Sequence, residues 1–83
     1  MKAKYLSKPT TYLVTLWNED GSELIKEEVY PMHIFSLEDV ISKLKGKENE
    51  CDIYESRYHK KRGKYITNGR TIIWNGCVWV TQM

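Results

Sequence analysis

Residues 64–81 read KYITNGRTIIWNGCVWVT, and the fold turns on how the two Asn-Gly pairs in this stretch are interpreted. Asn-Gly between alternating apolar runs is the strongest short-range hairpin signal. The two central positions of such a turn take positive φ, which these residue types tolerate. Turns at Asn68-Gly69 and Asn75-Gly76 define a meander of 64–67, 70–74 and 77–81. Turn geometry sets the register, so Thr67 lies opposite Arg70 and Trp74 opposite Cys77. One face then carries Tyr65, Thr67, Arg70, Ile72, Trp74, Cys77, Trp79 and Thr81. The other carries Lys64, Ile66, Thr71, Ile73, Val78 and Val80, and both faces are apolar in the middle.

Working upstream, residues 10–17 alternate and are rich in β-branched and aromatic types, which reads as a strand. Asp20-Gly21 repeats the turn signal, and 23–30 folds back as a second strand. That hairpin sets Leu16 against Ile25 and Tyr12 against Val29, which with Val14 form a buried side. Trp17 with Leu24 and Thr15 with Lys26 point the other way. Pro31 ends the strand. Ser36-Leu37-Glu38-Asp39 is a capping box with Asp in the usual Glu place, and Leu37, Val40, Ile41 and Leu44 make one apolar stripe. Gly46 is a natural helix stop. A charged connector at 47–50 leads to a third strand, 51–58, and a loop, 59–63.

The fold class is therefore α+β: a small single-layer sheet, mixed or antiparallel, with one helix packed on one face, in the order β-β-α-β-β-β. A hairpin, one crossing helix and a returning sheet resembles the layout of β-grasp folds such as ubiquitin, in layout only. Thr81-Gln82-Met83 holds no diglycine, so a conjugated modifier is not implied. A chain of 83 residues makes one domain, 10–83, behind a flexible basic N-terminal arm, 1–9.

A short helix can bury only one sheet face. The aliphatic face, Ile66, Ile73, Val78 and Val80, best matches the helix stripe. That leaves Tyr65, Ile72, Trp74 and Trp79 partly exposed as a docking surface, with Ile72, Trp74 and Trp79 the candidate partner or homodimer interface. The alternative is that the tryptophan face is the core. Either way one apolar face needs a cover that the helix cannot supply.

Charge is strongly divided along the chain. All 11 carboxylates lie between Glu19 and Glu55, whereas Arg57, Lys60, Lys61, Arg62, Lys64 and Arg70 follow with no acidic residue among them. The near-neutral total of +2 thus hides a dipolar molecule, a pattern that speaks to partners. Tyr58-His59-Lys60-Lys61-Arg62-Gly63-Lys64-Tyr65 places four cations between tyrosines, suited to phosphate neutralisation and base stacking. The expected function is a small non-enzymatic binding protein contacting nucleic acid, RNA or the phosphate backbone. Its candidate site is Arg57, Tyr58, Lys60, Lys61, Arg62, Lys64, Tyr65 and Arg70, with Trp74 or Trp79 as further stacking rings.

The alternative is a small protein-binding inhibitor or adaptor, of the kind phages and other mobile elements encode to block a host protein. It would act through the aromatic sheet face and the acidic surface around Glu19, Asp20, Glu23, Glu27, Glu28, Glu48, Glu50, Asp52 and Glu55. No nucleophile motif or phosphate loop points to catalysis, although His59 beside Lys60 and Arg62 has the groups of a ribonuclease. Cys51, Cys77, His33 and His59 lack the paired spacing of a zinc site, so no metal or cofactor is expected. Two unpaired cysteines, a polar start at 1–9 and no long apolar run fit a cytoplasmic protein without a membrane span.

Overall fold

The computed structural model describes residues 8–82, so most of the arm expected at 1–9 lies outside the described residues. The elements are β1 (Thr11–Trp17), β2 (Leu24–Pro31), α1 (Leu37–Lys43), β3 (Cys51–His59), β4 (Lys64–Trp74) and β5 (Trp79–Gln82), with a 3₁₀ turn at Glu48–Glu50. The strands form one sheet in the order β2-β1-β3-β4-β5, and every neighbouring pair is antiparallel. The α+β class and the order β-β-α-β-β-β stand.

The helix follows its local signals. Ser36 Oγ accepts from Asp39 N–H at 3.1 Å while Asp39 Oδ2 accepts from Ser36 N–H at 2.9 Å, a reciprocal capping box. Seven residues are too few to hold a helix in water, so α1 depends on what its stripe buries. Val40 and Leu44 are buried against Tyr12, Val14, Leu16, Cys51, Ile53 and Ile72, with Leu37 and Ile41 packed at the margin.

The first hairpin keeps Trp17 opposite Leu24, then a bulge adds one residue to β2. Leu16 therefore faces Lys26 and Tyr12 faces Tyr30, so the expected partners Ile25 and Val29 are not in the core. They are 63% and 38% exposed. A one-residue slip moves a side chain to the other face, and Tyr30 takes the inner place, edge-on to Phe35 at 5.2 Å.

Asn68-Gly69 is not a turn. Neither residue has positive φ, which a type I′ turn requires at both positions, and both lie inside β4. The segments 64–67 and 70–74 are one strand, which makes five strands of six expected segments. Tyr54 pairs with Thr71 and Ser56 with Thr67, so Glu55 alone spans residues 68–70 of β4, a bulge. Its carboxylate holds the bulge shut. Glu55 Oε1 accepts from Arg70 N–H at 2.8 Å, and Oε2 accepts from Arg70 Nε at 3.0 Å and Nη2 at 2.6 Å. Gly69 is required by close approach: a Cβ there would lie 2.8 Å from Glu55 Cβ and 3.0 Å from Pro9 Cγ.

Asn75-Gly76 does turn, with Gly76 at φ 104°, but in a longer loop. Asn75 Oδ1 accepts from Cys77 and Val78 N–H, both at 2.9 Å, and Trp74 pairs with Trp79. Cys77 and Val78 therefore leave the strand. The shift from the expected register is two residues, which preserves the faces.

The helix lies on the Ile72 side, so the expectation that it covers Ile66, Ile73, Val78 and Val80 is overturned. Val14, Ile53 and Ile72 stand in one row across three central strands, and all three are at most 1% exposed. That row continues into Tyr12, Leu16 and Cys51, giving the helix a larger apolar floor. Leu13, Val29, Tyr54, Thr71, Ile73 and Val80 occupy the opposite, partly open face, on which Leu13, Thr15 and Ser56 are at most 7% exposed. Among the described residues no helix or strand crosses it.

Candidate nucleic-acid interface

β1 pairs with β3 only as far as Ser56, and β5 pairs with β4 only as far as Thr71. Beyond these limits, among the described residues, β3 and β4 continue as a two-stranded ribbon. Arg57 pairs with Ile66, Tyr58 with Tyr65 and His59 with Lys64. Residues 60–63 close it: Gly63, at φ 65°, donates its N–H to His59 O at 2.8 Å, and Arg62 N–H donates to His59 Nδ1 at 3.3 Å. A projecting ribbon agrees with the elongated shape, 41 Å against 25 and 23 Å.

Strand alternation sorts its side chains. Arg57, His59, Lys64 and Ile66 point to the helix side, whereas Tyr58, Tyr65 and Thr67 continue the open face. Lys60, Lys61 and Arg62 occupy the tip. Arg57, Lys60, Lys61, Arg62 and Lys64 are all exposed, and among the described residues the ion pairs are Lys26–Glu28 and Arg70–Glu55. The five ribbon cations are thus without a carboxylate partner. Tyr58 and Tyr65 meet edge-to-face with centroids 5.1 Å apart.

Seven of the residues read from sequence as a nucleic-acid site, Arg57, Tyr58, Lys60, Lys61, Arg62, Lys64 and Tyr65, are therefore brought together. Arg70 is set apart, its guanidinium held by Glu55 at 2.6 Å. Ile72 is 1% exposed in the core and cannot meet a partner. Trp74 and Trp79 are partly buried on the helix side, edge-to-face at 5.6 Å, and Trp79 packs on the core. The expected partner surface therefore loses Ile72, while Trp74 and Trp79 keep part of their surface exposed. Tyr54 was missed, and Glu55, expected on the acidic surface, is instead buried and paired with Arg70. Glu55 is the last carboxylate of the chain, and that position was its only sequence signal.

β3 links two electrostatic poles. Glu48, Glu50 and Asp52 lie at its start, beside the β1–β2 loop with Glu19, Asp20 and Glu23. The basic tip lies beyond its end. Nine residues of strand separate them by about 26 Å at roughly 3.3 Å per residue. At the acidic pole Trp17, Gly21, Asn49, Glu50, Cys51 and Asp52 line a shallow cavity of about 250 Å³. Burial, then the charges of Asp52, Glu48, Glu50 and Glu28, pushes the Cys51 thiol up to about 11. The residue packs in the core beside Leu16 and Ile53.

Hydrogen bonds from the Arg70 side chain hold the Glu55 carboxyl below its ordinary value, against the opposing effect of burial. A depressed carboxyl pKa contributes stability above the unfolded value, about 4.3, and loses it as pH falls through the folded value. Asp20, Glu28 and Asp39 are lowered too, so the informative quantity is a difference. Urea unfolding of the wild type should weaken below about pH 4.5, with a smaller loss in Glu55→Gln. Parallel pH profiles would show that Glu55 is not ion-paired.

Among the described residues no group of His, Cys, Asp or Glu could hold a metal, and no helix is long and apolar enough to cross a membrane. No protein-family model, curated protein or solved structure matches the chain.

Proposed function

We propose that the protein binds nucleic acid through the β3–β4 ribbon, by contacts to the phosphate backbone and without catalysing a reaction. The observation that carries this reading is the placement of five exposed, unpaired cations on a projecting ribbon, at the pole opposite the carboxylates. Arg57, Lys60, Lys61, Arg62 and Lys64 neutralise phosphates, and the dipolar field turns the ribbon toward a polyanion. Arg70 contributes structure through Glu55. His59 has Nδ1 committed to Arg62 N–H, which favours a loop-closing role over acid–base work. The two free thiols, Cys51 and Cys77, suit a reducing cytoplasm.

Five phosphate contacts imply a log–log salt slope of about −3.5 on a single strand or −4.5 on a duplex. Fluorescence anisotropy of labelled oligonucleotides across a salt series reads it. Lys60/Lys61/Arg62→Ala should reduce the slope by about 2 to 3 and weaken binding by about two orders of magnitude near 0.1 M salt. Unchanged affinity in that variant, or salt-independent binding, would refute the reading. A second reading, a protein-binding inhibitor or adaptor, keeps the acidic pole with its cavity and the part-exposed Trp74 and Trp79, but loses Ile72 to the core.

A further inference from the structure

The sheet face opposite α1 has a composition that an ordinary solvated face would not need. Moving from the ribbon toward the acidic pole, its first row is Tyr58 and Tyr65 and its second is Thr11, Ser56 and Thr67. The third holds Leu13, Tyr54 and Thr71, flanked by Val29 of β2. Tyr54 and Tyr58 lie four residues apart on one strand and on one face, about 13 Å at roughly 3.3 Å per residue. Glu55 points to the other side and is neutralised by Arg70. None of these three rows therefore presents a carboxylate. The next row does, in Glu27 and Asp52 on either side of Thr15.

We infer that the tyrosines of this face form a stacking platform for a single-stranded nucleic acid, with bases laid on Tyr58, Tyr65 and Tyr54 and the phosphates led in by the tip cations Lys60, Lys61 and Arg62. The inference rests on the ribbon being a nucleic-acid site and adds the form of the ligand. A β-sheet covered by helix on one side and bearing aromatic rings on the other can stack two or three bases, and the 13 Å span has room for that number. Stacking needs base faces that a duplex keeps hidden. Charge complementarity selects the occupant and the direction. Cations stand at one end of the tyrosine track, the exposed Thr67 lies beside it, and Glu27 with Asp52 repel phosphate at its far end, so the bound segment is short. Tyr58, 47% exposed, is the ring most open to a base.

The test compares one labelled oligonucleotide of about ten nucleotides as a single strand and as a duplex, at the same salt. The single strand should bind at least about tenfold tighter, and Tyr54→Ala and Tyr58→Ala should each weaken it by about tenfold. Tyr54→Phe should retain binding. Ring resonances of Tyr54, Tyr58 and Tyr65 should shift on titration of wild type, while those of Tyr12 and Tyr30, on the helix side, stay in place. That readout survives a variant that fails to fold.

Equal affinity for duplex and single strand, with the tyrosine resonances unmoved but Lys60/Lys61/Arg62→Ala still defective, would overturn the platform and leave the ribbon reading intact. Binding of neither form would overturn both. A dimer in sedimentation whose formation shields Tyr54 would show a second copy on this face and overturn the platform.

Discussion

Gly69→Ala is expected to destabilise the protein by about 3 kcal/mol, an overpacking effect at the upper end of the usual range. The residue does not have positive φ, so the penalty does not come from backbone conformation. It comes from space. The added carbon would stand 2.8 Å from both Cβ and Oε1 of Glu55 and 3.0 Å from Pro9 Cγ. Cβ is tied to the β3 backbone, and Oε1 cannot retreat without releasing Arg70 N–H, which it accepts at 2.8 Å. The opposite result would be informative. At an uncrowded strand position, replacing Gly by Ala stabilises by roughly 0.4–1 kcal/mol through the unfolded chain. A measured gain in urea midpoint would therefore remove Glu55 from the bulge. Coupling supplies a second check: Glu55→Ala/Gly69→Ala should be less harmful than the two single changes added together.

Ile72→Ala should lower the unfolding free energy by about 3 kcal/mol, within the range for deleting a buried isoleucine to alanine. The side chain is 1% exposed and lies beside Ile53, which is fully buried in the row that α1 covers. Ile73 is the next residue and faces the open side, only partly buried. Ile73→Ala should change stability by less than about 1 kcal/mol, because little packing is lost and no cavity closes over it. The pair tests which face is the core independently of any ligand. If Ile73→Ala proved the harmful change and Ile72→Ala the mild one, the helix would have to sit on the other side of the sheet.

The parts of the molecule that were legible beforehand depend on neighbours close in the chain. The capping box at Ser36 and Asp39 spans one helical turn, and the stripe of Val40 and Leu44 repeats its period. The inward set Tyr12, Val14 and Leu16 needs only alternation along one strand. The basic stretch from Arg57 to Lys64 is a hairpin tip under either interpretation of Asn68-Gly69, so its cations gather whatever the sheet does. The second Asn-Gly pair erred by two residues, and the parity of the faces forgave it. In the first hairpin a single bulged residue was enough to exchange Val29 for Tyr30.

Composition and local pattern by themselves determined that this chain makes a helix-covered sheet with a basic hairpin at one end and carboxylates at the other, since each of those features is written within a few consecutive residues. Tertiary structure decided the rest. Glu55 and Arg70 are fifteen positions apart, and their hydrogen bonds turn an apparent turn signal into the middle of a strand. The alignment of Val14, Ile53 and Ile72 brings three distant strands together, so the choice of buried face waited on the register between them. That choice set Ile72 in the core with Trp79 packed against it, and left Tyr54, Tyr58 and Tyr65 on the other face, because one short helix can lie on only one side of a sheet.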